Sequence, residues 1–315
     1  MSAATVPAGL VFRSPAMQRV LEVAGRLLEA KTPVLLVGES GTGKDLLARH
    51  LHEGSPRRLS PFVQLHCPSV PEELLESELF GHDAGAFTDA KRTRLGKLEL
   101  ADGGSLYFDQ VQELSLSLQA KLLRVVEEKR FERLGGQRTL EVEVRFLFSA
   151  NQDLRAAVRR GAFREDLFHR LSVVELELPP LRERREDVLP LAQHFLARER
   201  ARGTTRARGF DAEAEALLQG YGWPGNVREL RAAVERAALL AAGEHIGAAE
   251  LPAHLLSDPH SLFAARELPP TLKEIEQSYI RHVLRETGGS QTRAARVLGI
   301  SRKALWEKRR RYGIP

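Results

Sequence analysis

The sequence predicts the α/β class: a domain with a mainly parallel sheet, then a helical subdomain, then a small all-α module at the C-terminus. Three observations lead there. Short apolar runs alternate with helical patterns between about residues 20 and 180. Strand candidates stop at Pro179-Pro180 and helical patterns take over. The last stretch of chain is strongly basic. The 315 residues suggest about two domains at roughly 150 residues each. With 43% hydrophobic and 28% charged residues, the chain is neither a disordered tail nor collagen-like.

The elements follow in order. Pro33–Val37 is a compact apolar run ending at a glycine, and Lys44–His52 reads as a helix. Pro61–Leu65 is a strand candidate and Glu72–Leu79 a helix. Ser105–Asp109 reads as a strand ending in an acid. Leu116–Glu128 places Leu118, Leu122, Val125 and Val126 at helical spacing, and Val142–Ser149 reads as a long strand. Asp187–Arg200, Asp211–Tyr221 and Asn226–Ala242 then read as helices with no strand among them. Pro259, Pro269 and Pro270 mark a linker. The expected organisation is a tail over 1–9, an α/β part over 10–180 and a helical part over 181–257. A linker over 258–270 and a helical module over 271–315 complete it.

The formal net charge of +5 is unevenly placed. Ser290–Pro315 holds eight basic residues and one acid, Glu307, a net of +7, which leaves −2 for the rest. Such a cluster suggests a polyanion, nucleic acid before membrane, with a merely solvated basic helix as the alternative. The single cysteine, Cys67, allows no intramolecular disulfide, so a reducing, cytoplasmic setting is expected. No apolar run approaches the ~18 residues of a membrane span. Met1–Arg13 lacks the basic-then-apolar layout of a secretion signal. Cys67 is expected to be a buried small side chain, and His82 and His169 to have surface or packing roles.

Gly38-Glu39-Ser40-Gly41-Thr42-Gly43-Lys44 follows a strand and opens a helix, the Walker A pattern in its required context. Glycines let backbone N–H groups curl around phosphate, the helix N-terminus adds positive field, and Lys44 reaches the outer phosphates. The following residue is Asp45 rather than Ser or Thr, so a carboxylate takes the place of the hydroxyl that meets Mg²⁺. Asp109, at the end of an apolar strand about 65 residues on, is placed to hold that ion.

These motifs, taken together, resemble the bacterial enhancer-binding proteins, the AAA+ activators of sigma-54 RNA polymerase. GESGTGKD at Gly38–Asp45 is similar to the family's GESGTGKE, and Gly85-Ala86-Phe87-Thr88-Asp89-Ala90 to its GAFTGA loop. Phe163-Arg164-Glu165-Asp166-Leu167 through Arg170, Pro180-Leu181-Arg182-Glu183-Arg184 and Trp223–Leu230 add to the match, which covers roughly residues 10–315. The resemblance implies an AAA+ P-loop NTPase fold and a ring, of hexamer type, with ATP and Mg²⁺ between subunits. Arg164 and Arg170 would be arginine fingers, Asn151 the first sensor and Arg228 the second. Phe87 and Thr88 would touch the sigma factor. Asn226 and Glu229 also read as a capping box, compatible with Arg228 pointing at nucleotide. No receiver domain fits before the match, so control is expected from a partner protein, from expression or from a ligand.

Three departures fall on working parts. Gln110 stands where the family has the Glu that activates water, so slow hydrolysis is expected. His66 replaces an Asn that pairs with that Glu. Asp89 replaces the second glycine of GAFTGA, where a positive φ would be strained. These changes read either as tolerated drift or as a degenerate activator that binds ATP and DNA but remodels poorly.

The C-terminal module resembles the Fis type of helix-turn-helix. Thr271–Glu286 sets Leu272, Ile275, Tyr279 and Val283 on one face of a helix. Ser290 caps a second helix with Ala294, Ala295 and Val297 as contacts, and Gly299 makes the turn. Ser301 caps a recognition helix in which Leu305 and Trp306 help packing. Ser301, Arg302, Lys303, Trp306, Lys308 and Arg309 form the expected DNA-binding set. The leading expectation is an ATP-using transcriptional regulator acting on sigma-54 polymerase. Its rivals are a DNA-binding regulator that uses nucleotide only to assemble, and another AAA+ class such as a replication initiator.

Overall fold

The computed structural model describes residues 10–69, 71–87, 90, 92–257 and 271–314. The expected tail, the whole expected linker, and Thr88 and Asp89 of the expected loop lie outside them. The chain divides into two compact units. One runs to Asp187 and includes Gly225–Arg228; the other holds Val188–Pro224 and everything from Glu229 onward.

In the first unit the central sheet comprises β1 (Val34–Val37), β2 (Phe62–His66), β5 (Ser105–Asp109), β8 (Arg145–Ala150) and β9 (Glu175–Glu177). The order is β2-β5-β8-β1-β9 and every pairing is parallel. β8 is buried at all six positions, as expected of a parallel strand covered on both faces. Phe108 stacks on Phe148 at 5.0 Å across the β5–β8 pair. Helices α1 (Pro15–Arg26) and α2 (Lys44–Glu53) have Leu21, Leu47 and Leu51 in one apolar cluster with β1. The other cluster takes in α3 (Glu72–Phe80), α4 (Lys97–Leu100), α5 (Leu116–Glu128), α6 (Leu154–Arg159) and α7 (Glu165–Leu171). The four apolar residues expected on one face of α5 are all buried in it, each contributing about 1.5–3 kcal/mol. Cys67 is buried, and burial pushes its thiol up to about 12.

The expected strand Val142–Ser149 is shorter and shifted: β8 begins at Arg145. Ahead of it, β6 (Arg130–Glu132) and β7 (Thr139–Glu141) form an antiparallel hairpin. Val142 donates its N–H to the Lys129 carbonyl, so it still serves the hairpin although it is apolar and buried. An apolar run does not reveal where the chain changes partner. A further short pair, β3 (Gly81–His82) with β4 (Arg94–Leu95), frames the segment containing Phe87.

Polar groups fasten the edges. Arg145 is 2% exposed and donates to the carbonyls of Leu27 (2.6 Å), Leu28 (3.0 Å) and Leu51 (2.9 Å). Asp187, fully buried, accepts from the N–H groups of Arg13 and Ser14 and from the Ser14 hydroxyl, the latter at 2.8 Å. Ser14 also caps α1, with Pro15 at its first position.

The second unit contains α8 (Val188–Ala201), α9 (Ala212–Gly220), most of α10 (Asn226–Leu240) and α11 (Ala253–Ser257). It is not free of strands as expected: β10 (Gly209–Phe210) and β11 (His245–Ile246) pair in parallel over two residues, too short a run to show a pattern in sequence. The same unit holds α12 (Leu272–Glu286), α13 (Gln291–Val297) and α14 (Arg302–Tyr312).

Replacing Asp187 by Ala leaves two backbone N–H groups unpaired in a buried place. It is expected to destabilise the protein by about 2–3 kcal/mol, seen as a lower thermal midpoint.

Candidate functional site

β1, β5 and β8 are adjacent, and their carboxyl ends carry the residues singled out by motif, where parallel sheets receive ligands. β1 runs into the Gly38–Lys44 loop, β5 ends in Asp109, and Asn151 follows β8 directly.

Two glycines show why the loop needs them. At Gly41 (φ 79°) a Cβ would lie 2.4 Å from the Gly225 carbonyl oxygen. At Gly43 (φ 103°) the backbone is left-handed and the space beside it is open. The first bond of α2 runs from the Leu47 N–H to the Gly43 carbonyl, so the N–H groups of Lys44, Asp45 and Leu46 point out of the helix end. That end suits an anion. Lys44 is 6% exposed and folds back on its own loop, donating to the carbonyls of Gly38 (2.6 Å) and Glu39 (2.8 Å). Burial holds its ammonium below the usual lysine range. Thr42 closes the loop with a hydroxyl bond to the Glu39 carbonyl.

The rest of the unit clasps this loop. Arg182 forms a two-pronged pair with Glu39 at 2.6 and 2.8 Å, and its hydrogen bond keeps the Glu39 carboxyl below its usual range. Arg184 donates to the Thr42 carbonyl at 2.7 Å. Arg228 reaches the Ser40 hydroxyl at 2.7 Å. Asn226 differs from the capping-box expectation. It is itself the first residue of α10, it has a left-handed φ of 53°, and its amide oxygen accepts from Leu181 N–H at 2.7 Å. Its amide nitrogen donates to Glu39 and to the Ser40 carbonyl, each at 3.1 Å. Glu229 accepts from the Tyr221 hydroxyl at 3.1 Å. The Asn side chain ties the phosphate loop to its surroundings, a use that an N-x-x-E spacing does not reveal.

Asp109 is held from three sides. Ser149 donates its hydroxyl to one carboxylate oxygen at 2.7 Å and Tyr107 to the same oxygen at 3.3 Å, while His66 Nδ1 lies 3.0 Å from the other. His66 therefore faces Asp109, its direct neighbour in the β2–β5 register. Gln110 pairs elsewhere: Asn151 donates its amide N–H to the Gln110 amide oxygen at 3.0 Å. Gln110 is a non-glycine residue at φ 63°, and its backbone N–H is fixed by the Ser149 hydroxyl at 2.9 Å. Ser149 thus bonds to both members of the Asp109-Gln110 pair, a role with no motif to announce it. Asp45 is exposed on the first turn of α2, and its charge acts on Lys44 and Tyr107 together with that of Asp109. Among the described residues no group of three or more His, Cys, Asp or Glu side chains is arranged to hold a metal by itself.

Arg164 and Arg170 are exposed at α7. The Arg164 guanidinium is paired with Asp166 at 2.7 and 3.1 Å, and its backbone N–H is anchored by the buried Gln119 at 2.8 Å. Arg164, Glu165, Asp166 and His169 line an open groove. In the expected polymerase loop, Gly85 N–H bonds to the Ala90 carbonyl at 2.8 Å and Ala90 N–H to the Phe87 carbonyl at 2.9 Å. Ala86 N–H bonds to the Asp83 carbonyl. Phe87 is 42% exposed and meets the His82 ring edge-on at 4.9 Å.

In the basic module Ile280, Val283, Leu284, Ala294, Ala295, Leu305 and Ile314 form the core. Several sequence expectations need correcting. Tyr279 is 49% exposed, and Ile280 and Leu284 join Val283 instead. The side chains of Leu272 and Ile275, expected on the same face, lie outside those described. Val297 and Trp306 are also exposed, with the Arg310 guanidinium 5.7 Å over the Trp306 ring. Ser290 makes no side-chain cap, whereas Ser301 accepts from Ala304 N–H at 3.1 Å. Gly299 has the expected positive φ. Arg302 and Lys303 are exposed at the start of α14. Lys308 is paired with Glu276 at 2.5 Å, beside a Tyr312 hydroxyl bond to the same carboxylate, and Arg309 is half-buried.

Comparison with known proteins fits this geometry. The sigma-54 interaction domain family matches residues 10–177, the AAA+ ATPase lid domain 182–278, and the Fis family of bacterial regulatory proteins 271–312. The chain is 45% identical over 300 residues to transcriptional regulatory protein ZraR of Escherichia coli K12, covering 95% of this chain and 68% of that protein. It is 42% identical to FlbD of Caulobacter vibrioides, covering 96% and 70%. The solved structure of NtrX from Brucella abortus in complex with ADP aligns with TM-score 0.74 at 34% identity, covering 97% of this chain and 70% of that one. The fold is therefore an AAA+ core with a lid and a Fis-type helix-turn-helix region. The chain belongs to the sigma-54-dependent transcriptional activators of Fis type. No helix among the described residues is long and apolar enough to cross a membrane.

Hydrogen bonds from Lys308, and then from Tyr312, hold the Glu276 carboxyl below its usual range. A lowered carboxyl stabilises the fold above its unfolded pKa and loses that contribution as pH falls through the folded value. Glu276→Gln should therefore lower amide protection in α14 at about pH 7, and the difference between the two proteins should shrink as pH falls through the acid range, as read by hydrogen exchange.

Proposed function

We propose that this protein binds ATP at the Gly38–Asp45 loop, assembles as a ring, and uses nucleotide turnover to act on sigma-54 RNA polymerase from a DNA site. The observation that carries the reading is the convergence of Lys44, Asp109 and Asn151 at the carboxyl ends of adjacent parallel strands. Gly38, Glu39, Ser40, Gly41, Thr42 and Gly43 wrap the phosphates with backbone N–H groups. Lys44 leaves its own carbonyls for phosphate oxygen, and Arg228 supplies a further positive charge. Asp109, with Asp45, would hold Mg²⁺, which would neutralise charge between phosphates. Arg164 and Arg170 reach a neighbouring subunit's nucleotide once Arg164 leaves Asp166, and a trans arginine contributes about 10³–10⁵ in rate. The Gly85–Ala90 loop offers Phe87 to the polymerase. Arg302 and Lys303, with Ser301 and Trp306 at the same helix end, read DNA, while Lys308 and Arg309 serve as much to hold the module together. In this reading residues 10–180 would be the ATPase core, 181–257 the lid and 271–315 the DNA reader.

Hydrolysis needs the water oxygen to bond to the γ-phosphorus as the bond to ADP breaks, with the water proton passing to an acceptor. Gln110 is neutral and does not take that proton, so turnover is slow. Gln110→Glu is expected to raise ATP turnover at least about tenfold, since a general base contributes ~10²–10⁴. Equal, ordinary rates in both proteins would overturn slow hydrolysis. The same pair assayed for open-complex formation at a sigma-54 promoter tests remodelling.

The Gln110 and His66 contacts favour a second reading: a member that binds ATP and DNA but regulates without remodelling. It predicts no open complexes from the unaltered protein. In either case log affinity for DNA should fall steeply with log salt, with a shallower slope for Arg302→Ala.

A further inference from the structure

A side chain outside the recognised motifs reaches the catalytic end of the sheet. Gln112 lies in the single turn after Gln110 and donates its amide N–H to the Asn151 amide oxygen at 2.6 Å. The same nitrogen donates to the Glu113 carboxylate at 3.3 Å. A carboxylate only accepts, and so does the Asn151 oxygen, so the nitrogen end of Gln112 is held toward both. The Gln112 amide oxygen is buried with no hydrogen-bond partner, the cost of this orientation. Asn151 has then no choice of direction. Its oxygen is taken by Gln112, its nitrogen faces Gln110 and donates to the Gln110 amide oxygen at 3.0 Å.

We propose that Gln112 is a positioning residue that sets the polarity of the chain Gln112–Asn151–Gln110. With its oxygen spent on Asn151, Gln110 presents N–H donors to the γ-phosphate side of the site. Those donors bind a phosphate oxygen but accept nothing from the attacking water. The chain thus favours holding ATP over cleaving it. The same polarity suits a carboxylate at position 110. In a Gln110→Glu protein the new carboxylate would accept the Asn151 N–H with one oxygen and keep the other for the water proton. The proposal rests on the ATPase reading above.

Gln112→Glu reverses the chain without changing its shape. Burial and the neighbouring Glu113 carboxylate shift the ionisation of the carboxyl introduced at position 112 to higher pH, and once ionised it accepts from the Asn151 nitrogen and turns the Asn151 oxygen toward position 110. Gln110 then donates to Asn151 and faces its own oxygen outward, where it can accept a hydrogen bond from water, as a glutamine does in small GTPases. In a Gln110→Glu protein the reversed Asn151 oxygen instead opposes the carboxylate and displaces the base.

The test uses the full chain in four forms: unaltered, Gln112→Glu, Gln110→Glu and the double variant. ATP turnover is measured over about pH 6–9, the effect of Gln112→Glu being read at the high end where its carboxyl ionises, with ATP and ADP affinities from competition against a fluorescent nucleotide. Gln112→Glu is expected to raise kcat several-fold in the unaltered protein and to lower it several-fold in Gln110→Glu. It should also shrink the preference for ATP over ADP in the unaltered protein, because N–H donors no longer meet the γ-phosphate. Gln112→Ala, which adds no charge, should shift each quantity in the same direction by less, and it decides the matter if Gln112→Glu fails to bind nucleotide. Equal or same-sign effects in the two backgrounds would overturn the positioning role while leaving the ATPase reading intact. A Gln110→Glu protein that binds ATP yet shows no turnover would overturn the ATPase reading and the positioning role with it.

Discussion

The parallel pairing of β5 with β8 is the constraint from which the rest of the site follows. Its ladder sets Phe108 against Phe148, and the next residues along, Asp109 and Ser149, meet through a hydrogen bond at 2.7 Å. The Ser149 hydroxyl also accepts from the Gln110 backbone at 2.9 Å, which holds that residue at its left-handed φ. A slip of one residue would carry Phe108 to the opposite face of the sheet, away from Phe148, and Asp109 away from Ser149. Burying the aromatic stack and aiming the carboxylate are therefore one event.

The phosphate loop depends on a second set of contacts that converge on backbone oxygens, the Ser40 hydroxyl and Glu39. Arg182, Arg184, Asn226 and Arg228 come from sequence positions about 140 to 190 residues away and bind Glu39, Thr42 or Ser40. Asp187 sits three residues beyond Arg184 and receives the N-terminal end of α1. The loop, the start of α1 and residues 182–187 are thus joined through polar side chains, of which Arg184, Asp187 and Asn226 are buried. Such groups are costly to leave unpaired, which makes the arrangement specific.

The polar residues at the strand ends take their hydrogen-bond partners from the sheet register. His66 makes contact with Asp109 rather than with Gln110, because the β2–β5 register sets those two residues side by side. Gln110 turns to Asn151 instead. Sequence comparison with the family pairs the two altered positions, and the ladder separates them.

Much of this protein was legible in its sequence. Alternating apolar runs, a glycine loop between strand and helix, and a strand ending in Asp109 follow from local periodicity and backbone freedom, which are properties of neighbouring residues. The basic end was equally plain, since charge is countable. Tertiary structure decided what depends on partners distant in the chain. Val142 looked like part of β8 but serves a hairpin, and Trp306 looked like core but is exposed. Tyr279 gave way to Ile280 and Leu284, since neighbouring positions on a helix differ little in pattern and packing chooses between them. Ser149, Gln112 and Gln119 carried no signal at all: a polar side chain acquires its role only from the groups that folding brings within hydrogen-bond distance.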